Sequence, residues 1–272
     1  MAKRKRRKSD SSGIFILFGI VFALLSVAII AGYLVLRTQA SSEAALNDEN
    51  LCPVDGPNAI TAILLDVTDP IADITGLDLR NEFQALISSI SKGSLIQVYA
   101  LTEKEGELEL TFTGCNPGDG QSVSEWTNNP RIAQERWEKG FQRPLDEVSQ
   151  RLQNGKSGEQ SPIMAAIQRI NTEAFGPPAY RSLPKTLVIA SDMIEHTAAY
   201  SMYRGGPVYS KYETSPASAK FRTPLNNVSV RILEFQRPDM AFTDLDLANF
   251  WKEWIAGNSG QLASFKRLQG IR

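Results

Sequence analysis

From Ile14 to Leu36 the chain carries no charged side chain and consists mainly of Ile, Leu, Val, Phe and Ala. A helix of that length crosses roughly 30 Å of hydrocarbon, so residues 13–36 read as a transmembrane segment. A cleaved signal peptide is the competing reading. Its apolar core usually runs only about 7–15 residues before a small-residue site, and Thr38-Gln39-Ala40 is the nearest match, so the length favours a retained helix. The cluster Lys3-Arg4-Lys5-Arg6-Arg7-Lys8 lies directly ahead of the run. By the positive-inside bias, residues 1–12 form a cytoplasmic tail and everything after Leu36 lies outside. The expected location is therefore the cell inner membrane, single-pass, with a periplasmic or extracellular C-terminal domain. A nuclear-localisation reading of the basic cluster is less simple beside such an apolar run.

The formal net charge of −1 hides an asymmetry, because beyond Arg37 the chain has 22 basic residues against 29 acidic ones. An acidic surface argues against nucleic-acid binding, which draws most of its affinity from Lys and Arg on phosphates. Cys52 and Cys115 are the only cysteines, and both fall on the outer side, where an oxidising compartment lets them pair. With one histidine and two cysteines, a tetrahedral zinc site is nearly excluded. No Gly-rich phosphate cradle is present, and no small-molecule cofactor is expected.

Residues 37–51, rich in Ser, Ala, Glu and Asn, suit a tether, and 52–272 suit one α/β domain. Ala59 to Leu65 is a nearly continuous apolar run ending at Asp66, as expected of a strand buried on both faces of a parallel sheet. Leu79, Phe83, Leu86, Ile87 and Ile90 follow at helical spacing. Ser94 to Leu101 and the alternating Glu107 to Thr113, with Gly106 between them, predict an antiparallel hairpin. Ile132 to Leu152 reads as a helix kinked or broken at Pro144. Ile163 to Ala174 is a helix opened by Ser161-Pro162, with Ser161 as N-cap. Lys185 to Ala190 is a second buried strand and leads to Ser191-Asp192. Val228 to Phe235 is a strand, Leu245 to Ala256 a helix with Trp251 and Trp254, and Leu262 to Leu268 an edge strand. The fold class is α/β, an open and mainly parallel sheet with helices on both faces.

Ligands in such sheets bind outside the carboxyl ends of the strands, where Asp66 and Asp192 would emerge together. At these residues the chain resembles von Willebrand factor A (vWA) domains. Their metal-ion-dependent adhesion site has Asp-x-Ser-x-Ser after the first strand, a Thr opening a later helix and an Asp after the fourth strand. Asp66 and Thr68 match the first two members, Ser161 the helix-opening hydroxyl, and Asp192 the last. Pro70 departs from the pattern, offering no hydroxyl where the family has its second Ser, and Asp69 is displaced by one residue. The resemblance implies a site for Mg2+, Mn2+ or Ca2+ on Asp66, Thr68, Ser161 and Asp192, since hard oxygens suit those ions. The competing reading gives the same residues turn and cap roles. The vWA strand order also places the first and third strands on either side of the second, which brings Cys52 and Cys115 to the end of the sheet opposite Asp66.

Met193 to Pro224 is a long connection carrying Tyr200, Tyr203, Arg204, Tyr209 and Tyr212. These residue types favour a partner-binding surface, and a packed insertion is the alternative. The functional expectation is a membrane-anchored, protein-binding module of vWA type within a membrane assembly, and not an enzyme. A haloacid-dehalogenase-like phosphohydrolase using Asp66 as nucleophile is the alternative, but it needs a second Asp where Thr68 stands. A serine or cysteine hydrolase lacks its nucleophile elbow, and His196 is the sole imidazole.

Overall fold

Strand β1 (Ile60–Asp66) is buried along its whole length because it lies mid-sheet with helices on both faces. The computed structural model describes residues 11–41, 45–68, 71–123, 129–151, 158–237 and 240–268. The basic cluster at residues 3–8, and Asp69 and Pro70, lie outside the described residues. After β1 come α2 (Asp73–Ser89), β2 (Leu95–Leu101), β3 (Leu108–Cys115), α3 (Pro130–Trp137), α4 (Arg143–Arg151) and α5 (Ile163–Glu173). They are followed by β4 (Lys185–Ser191), three short helices α6 (Met202–Gly205), α7 (Tyr209–Glu213) and α8 (Pro216–Lys220), β5 (Val228–Phe235), α9 (Asp244–Gly257) and β6 (Gln261–Leu268). The first helix, α1 (Ser11–Ser41), precedes the sheet.

The sheet order is β3-β2-β1-β4-β5-β6, with β3 antiparallel to β2 and every other pair parallel. Side-chain alternation along the strands divides the core in two. Ala62, Leu64, Leu187, Ile189, Val230 and Ile232 face α5 and α9, whereas Ile63, Leu65, Val188, Ala190 and Leu233 face α2 and α4. The fold class and the hairpin expected from the sequence are both present.

Two local expectations are corrected. The helix carrying Pro144 is not broken there, because a wider π turn at Glu138–Gln142 immediately before it brings the Arg143 N–H to the Glu138 carbonyl. Proline removes a helical donor and crowds the preceding turn, and the wider turn relieves that crowding. Ser161 is not an N-cap: α5 begins at Ile163, and the cap position is held by Pro162, whose own side chain makes no capping hydrogen bond.

Cys52 and Cys115 are joined by a disulfide with a Cα separation of 4.6 Å. Cys115 pairs with Leu95 at the start of β2, so the bond lies at the N-terminal end of the parallel strands, away from Asp66. The chain is already tied to this end before Cys52. Val54 donates to the Ala45 carbonyl and Cys115 to the Asn50 carbonyl, at 2.8 Å each. Among the described residues one helix, Ile16–Thr38, is long and apolar enough to cross a membrane, with a mean hydropathy of 2.6 and none of its most apolar stretch buried.

Candidate functional site

Asp66 closes β1 and is 7% exposed. One carboxylate oxygen accepts the backbone N–H of Thr68 at 3.0 Å and its hydroxyl at 2.6 Å. The other accepts the hydroxyls of Ser161 at 3.2 Å and Ser191 at 2.7 Å. Three hydroxyls from three separate segments therefore converge on one buried carboxylate. Ser161 is delivered by a short antiparallel bridge, in which its N–H and C=O pair with those of His196 at 3.0 Å each. Released from capping α5, its side chain turns to Asp66 instead.

A carboxylate offers about four lone-pair positions, and all four at Asp66 are taken. Such a group is a poor nucleophile, which weighs against the phosphohydrolase alternative. The hydroxyls that donate to it keep oxygen lone pairs of their own. Among the described residues no group of three or more His, Cys, Asp and Glu side chains gathers as a metal site. A cation here would thus depend on the oxygens of Thr68, Ser161 and Ser191, with the two aspartates supplying negative charge. That hard-oxygen set fits Mg2+, Mn2+ or Ca2+.

Asp192 follows β4 and is 4% exposed. It does not bond to the Asp66 cluster directly. Its Oδ1 accepts the Ile194 N–H at 3.0 Å, and its Oδ2 pairs with Arg237 Nε at 2.9 Å. Burial first, then the nearby Asp66, pushes its carboxyl up to about 6, and the Ile194 and Arg237 contacts oppose the rise. The turn after it is strained: Met193 has φ 60°, a left-handed conformation rare for a long side chain. It is held from both sides, because Ser191 Oγ accepts its N–H at 2.9 Å and Trp251 Nε1 donates to its carbonyl at 2.7 Å.

Glu195, three residues on, is fully buried. One oxygen accepts the Met164 N–H at 2.8 Å in the first turn of α5, the role that Pro162 leaves open, and the other has no hydrogen-bond partner among the described residues. Burial pushes its carboxyl up to about 8. His196 is half-buried, with Nδ1 2.8 Å from Ser201 Oγ, so the sole imidazole is built into the loop.

The tyrosines expected to form one binding surface divide into two groups. Tyr212 is 3% exposed, and Tyr200 and Tyr209 also lie against Phe250 of α9 with ring centroids 5.9 and 6.0 Å away. Tyr212 also accepts a hydrogen bond from Trp254 at 2.9 Å. These three anchor the insertion, since a buried hydroxyl and a large apolar ring serve a core as well as an interface. Tyr203 and Arg204 are exposed, with Tyr203 edge-on to His196 at 5.2 Å. Ser191, Arg237 and Glu195 are not among the site residues expected from the sequence. The signal that marks Asp66 and Asp192, a polar group just past an apolar strand, also marks Arg237 two residues beyond β5.

No family model matches the chain, and no curated protein does either. Solved structures overlap it weakly. They include proximal thread matrix protein 1 of the mussel byssus (12% identity, TM-score 0.35, 66% of this chain and 38% of that one). An aerotolerance-related membrane protein from Bacteroides fragilis matches at 12% identity and TM-score 0.36, covering 78% of this chain and 92% of that one. A von Willebrand factor type A protein from Catenulispora acidiphila matches at 14% and 0.34, covering 75% and 43%. The chain thus spans under half the length of the mussel and Catenulispora proteins. Strand order and connectivity, rather than these overlaps, carry the assignment. With the second strand between the first and third, and with Asp66 and Asp192 at the ends of the first and fourth, the folded domain is similar to a vWA domain, joined here to an apolar helix of membrane-spanning length.

Proposed function

We propose that the chain is a membrane-anchored, extracytoplasmic vWA-like module that binds a protein partner at the C-terminal edge of its sheet, with a divalent cation at Asp66 as part of that contact. The convergence of the Thr68, Ser161 and Ser191 hydroxyls on the buried Asp66 carboxylate carries this reading. Three hydroxyls gathered at one acid exceed what a turn at the end of β1 needs, since Thr68 alone closes that turn. The cation would supply an electrophilic centre for a partner's carboxylate. The exposed Tyr203 and Arg204 belong to the connection that leaves Asp192, and both are residue types frequent in binding hot spots. The basic cluster at Lys3 to Lys8 supports a cytoplasmic N-terminus, an outer domain and an inner-membrane location.

The test is calorimetric titration of the full chain in nanodiscs with Mg2+, Mn2+ and Ca2+. Binding at millimolar Kd or tighter is expected, and Asp66→Ala should abolish it. Silence of the wild-type protein toward all three ions would return these residues to turn roles.

A further inference from the structure

Asp192 already has a cation beside it. Arg237 lies two residues past β5, the strand next to β4, and this adjacency brings its Nε to 2.9 Å from Asp192 Oδ2. The carboxylate is 4% exposed and the guanidinium side chain 25%, so the arginine is the partner that lies toward solvent. The aspartate is held by the Ile194 N–H and by the strained Met193 turn, so of the two side chains it is the arginine that must move to admit an ion. The sequence pattern of the vWA site contains no such residue, and nothing in the chemistry of a simple cation site calls for one. A divalent ion and a guanidinium on the same carboxylate repel each other, and only one can hold it at full strength in a site shielded from water.

We propose that Arg237 is an internal counter-cation that competes with a divalent ion for Asp192, so that the ion is accepted only as the guanidinium gives way. This rests on the cation reading of the Asp66 cluster. Without metal, Arg237 supplies the counter-charge of Asp192. The same contact lowers the site's affinity for the ion, and loading by metal displaces a side chain on the chain segment that leaves β5. Arg237 thereby sets the cation concentration at which the outer edge of the sheet changes state.

The experiment compares Mn2+ titrations of the full chain in nanodiscs for wild type, Arg237→Gln and Arg237→Lys. Arg237→Gln should bind Mn2+ about tenfold more tightly than wild type, within the usual range of coupling between two bound groups. Arg237→Lys keeps the charge that balances Asp192 but loses the directed Nε contact, and it should fall between the two. If Arg237→Gln does not unfold cooperatively on heating, Arg237→Lys decides the matter alone, and a Kd equal to that of wild type overturns the competition. Wild-type binding left unchanged or weakened by Arg237→Gln overturns the competition while leaving the cation reading intact. Failure of wild type and both variants to bind overturns both.

Discussion

Glu195 has one oxygen on the Met164 N–H, the other without a hydrogen-bond partner among the described residues, and a carboxyl raised from its ordinary 4.5 to about 8. The folded chain therefore holds a proton that the unfolded chain releases. Its contribution to stability is fully present below about pH 4.5 and is lost as pH rises toward 8. Asp192 and Glu234, raised to about 6 and about 7, act in the same direction. Urea midpoints measured with chelator present should fall between pH 5 and pH 8, and Glu195→Gln, which stays neutral throughout, should flatten much of that fall. An equal slope in the variant would place the titration elsewhere. At this scale the two aspartates were legible because each ends an apolar run. Ser191 follows the run but draws no notice beside the carboxylate next to it, and Arg237 reaches Asp192 across 45 positions of sequence, a contact that exists only once β5 lies beside β4.

The connection from Met193 to Pro224 shows how an element's role depends on what lies beneath it. Its composition suits either an interface or a core, and the deciding partner, Phe250 on α9, is far along the chain. Tyr212→Phe removes the acceptor for the buried Trp254 N–H and should cost about 1–3 kcal/mol. Tyr203→Ala, at a position 53% exposed, should change stability by no more than about 0.5 kcal/mol. Thermal or urea unfolding of the two variants checks this, and comparable losses would make the whole connection structural. Strands and long helices were readable because apolar periodicity is local. The π turn before Pro144 and the release of Ser161 from capping were not, since each answers to geometry that a proline imposes on its neighbours.

Across the whole molecule, the segment Ala45 to Cys52 and the candidate site lie at opposite ends of the sheet, with the disulfide at the former. When the chain is pulled at its two termini, tension arriving through Ala45 to Cys52 crosses at once into the end of β3. The 63-residue interval between the cysteines, which contains β1, α2, β2 and β3, is then bypassed by a covalent short circuit and bears no extension. In an optical trap pulling on the two termini, complete unfolding should release about 220 Å less contour length in oxidised than in reduced protein, at roughly 3.5 Å per residue. Equal lengths would mean that the bond is not carrying the load. The strand that ends in Asp66 is thus enclosed in a loop that tension between the termini does not reach.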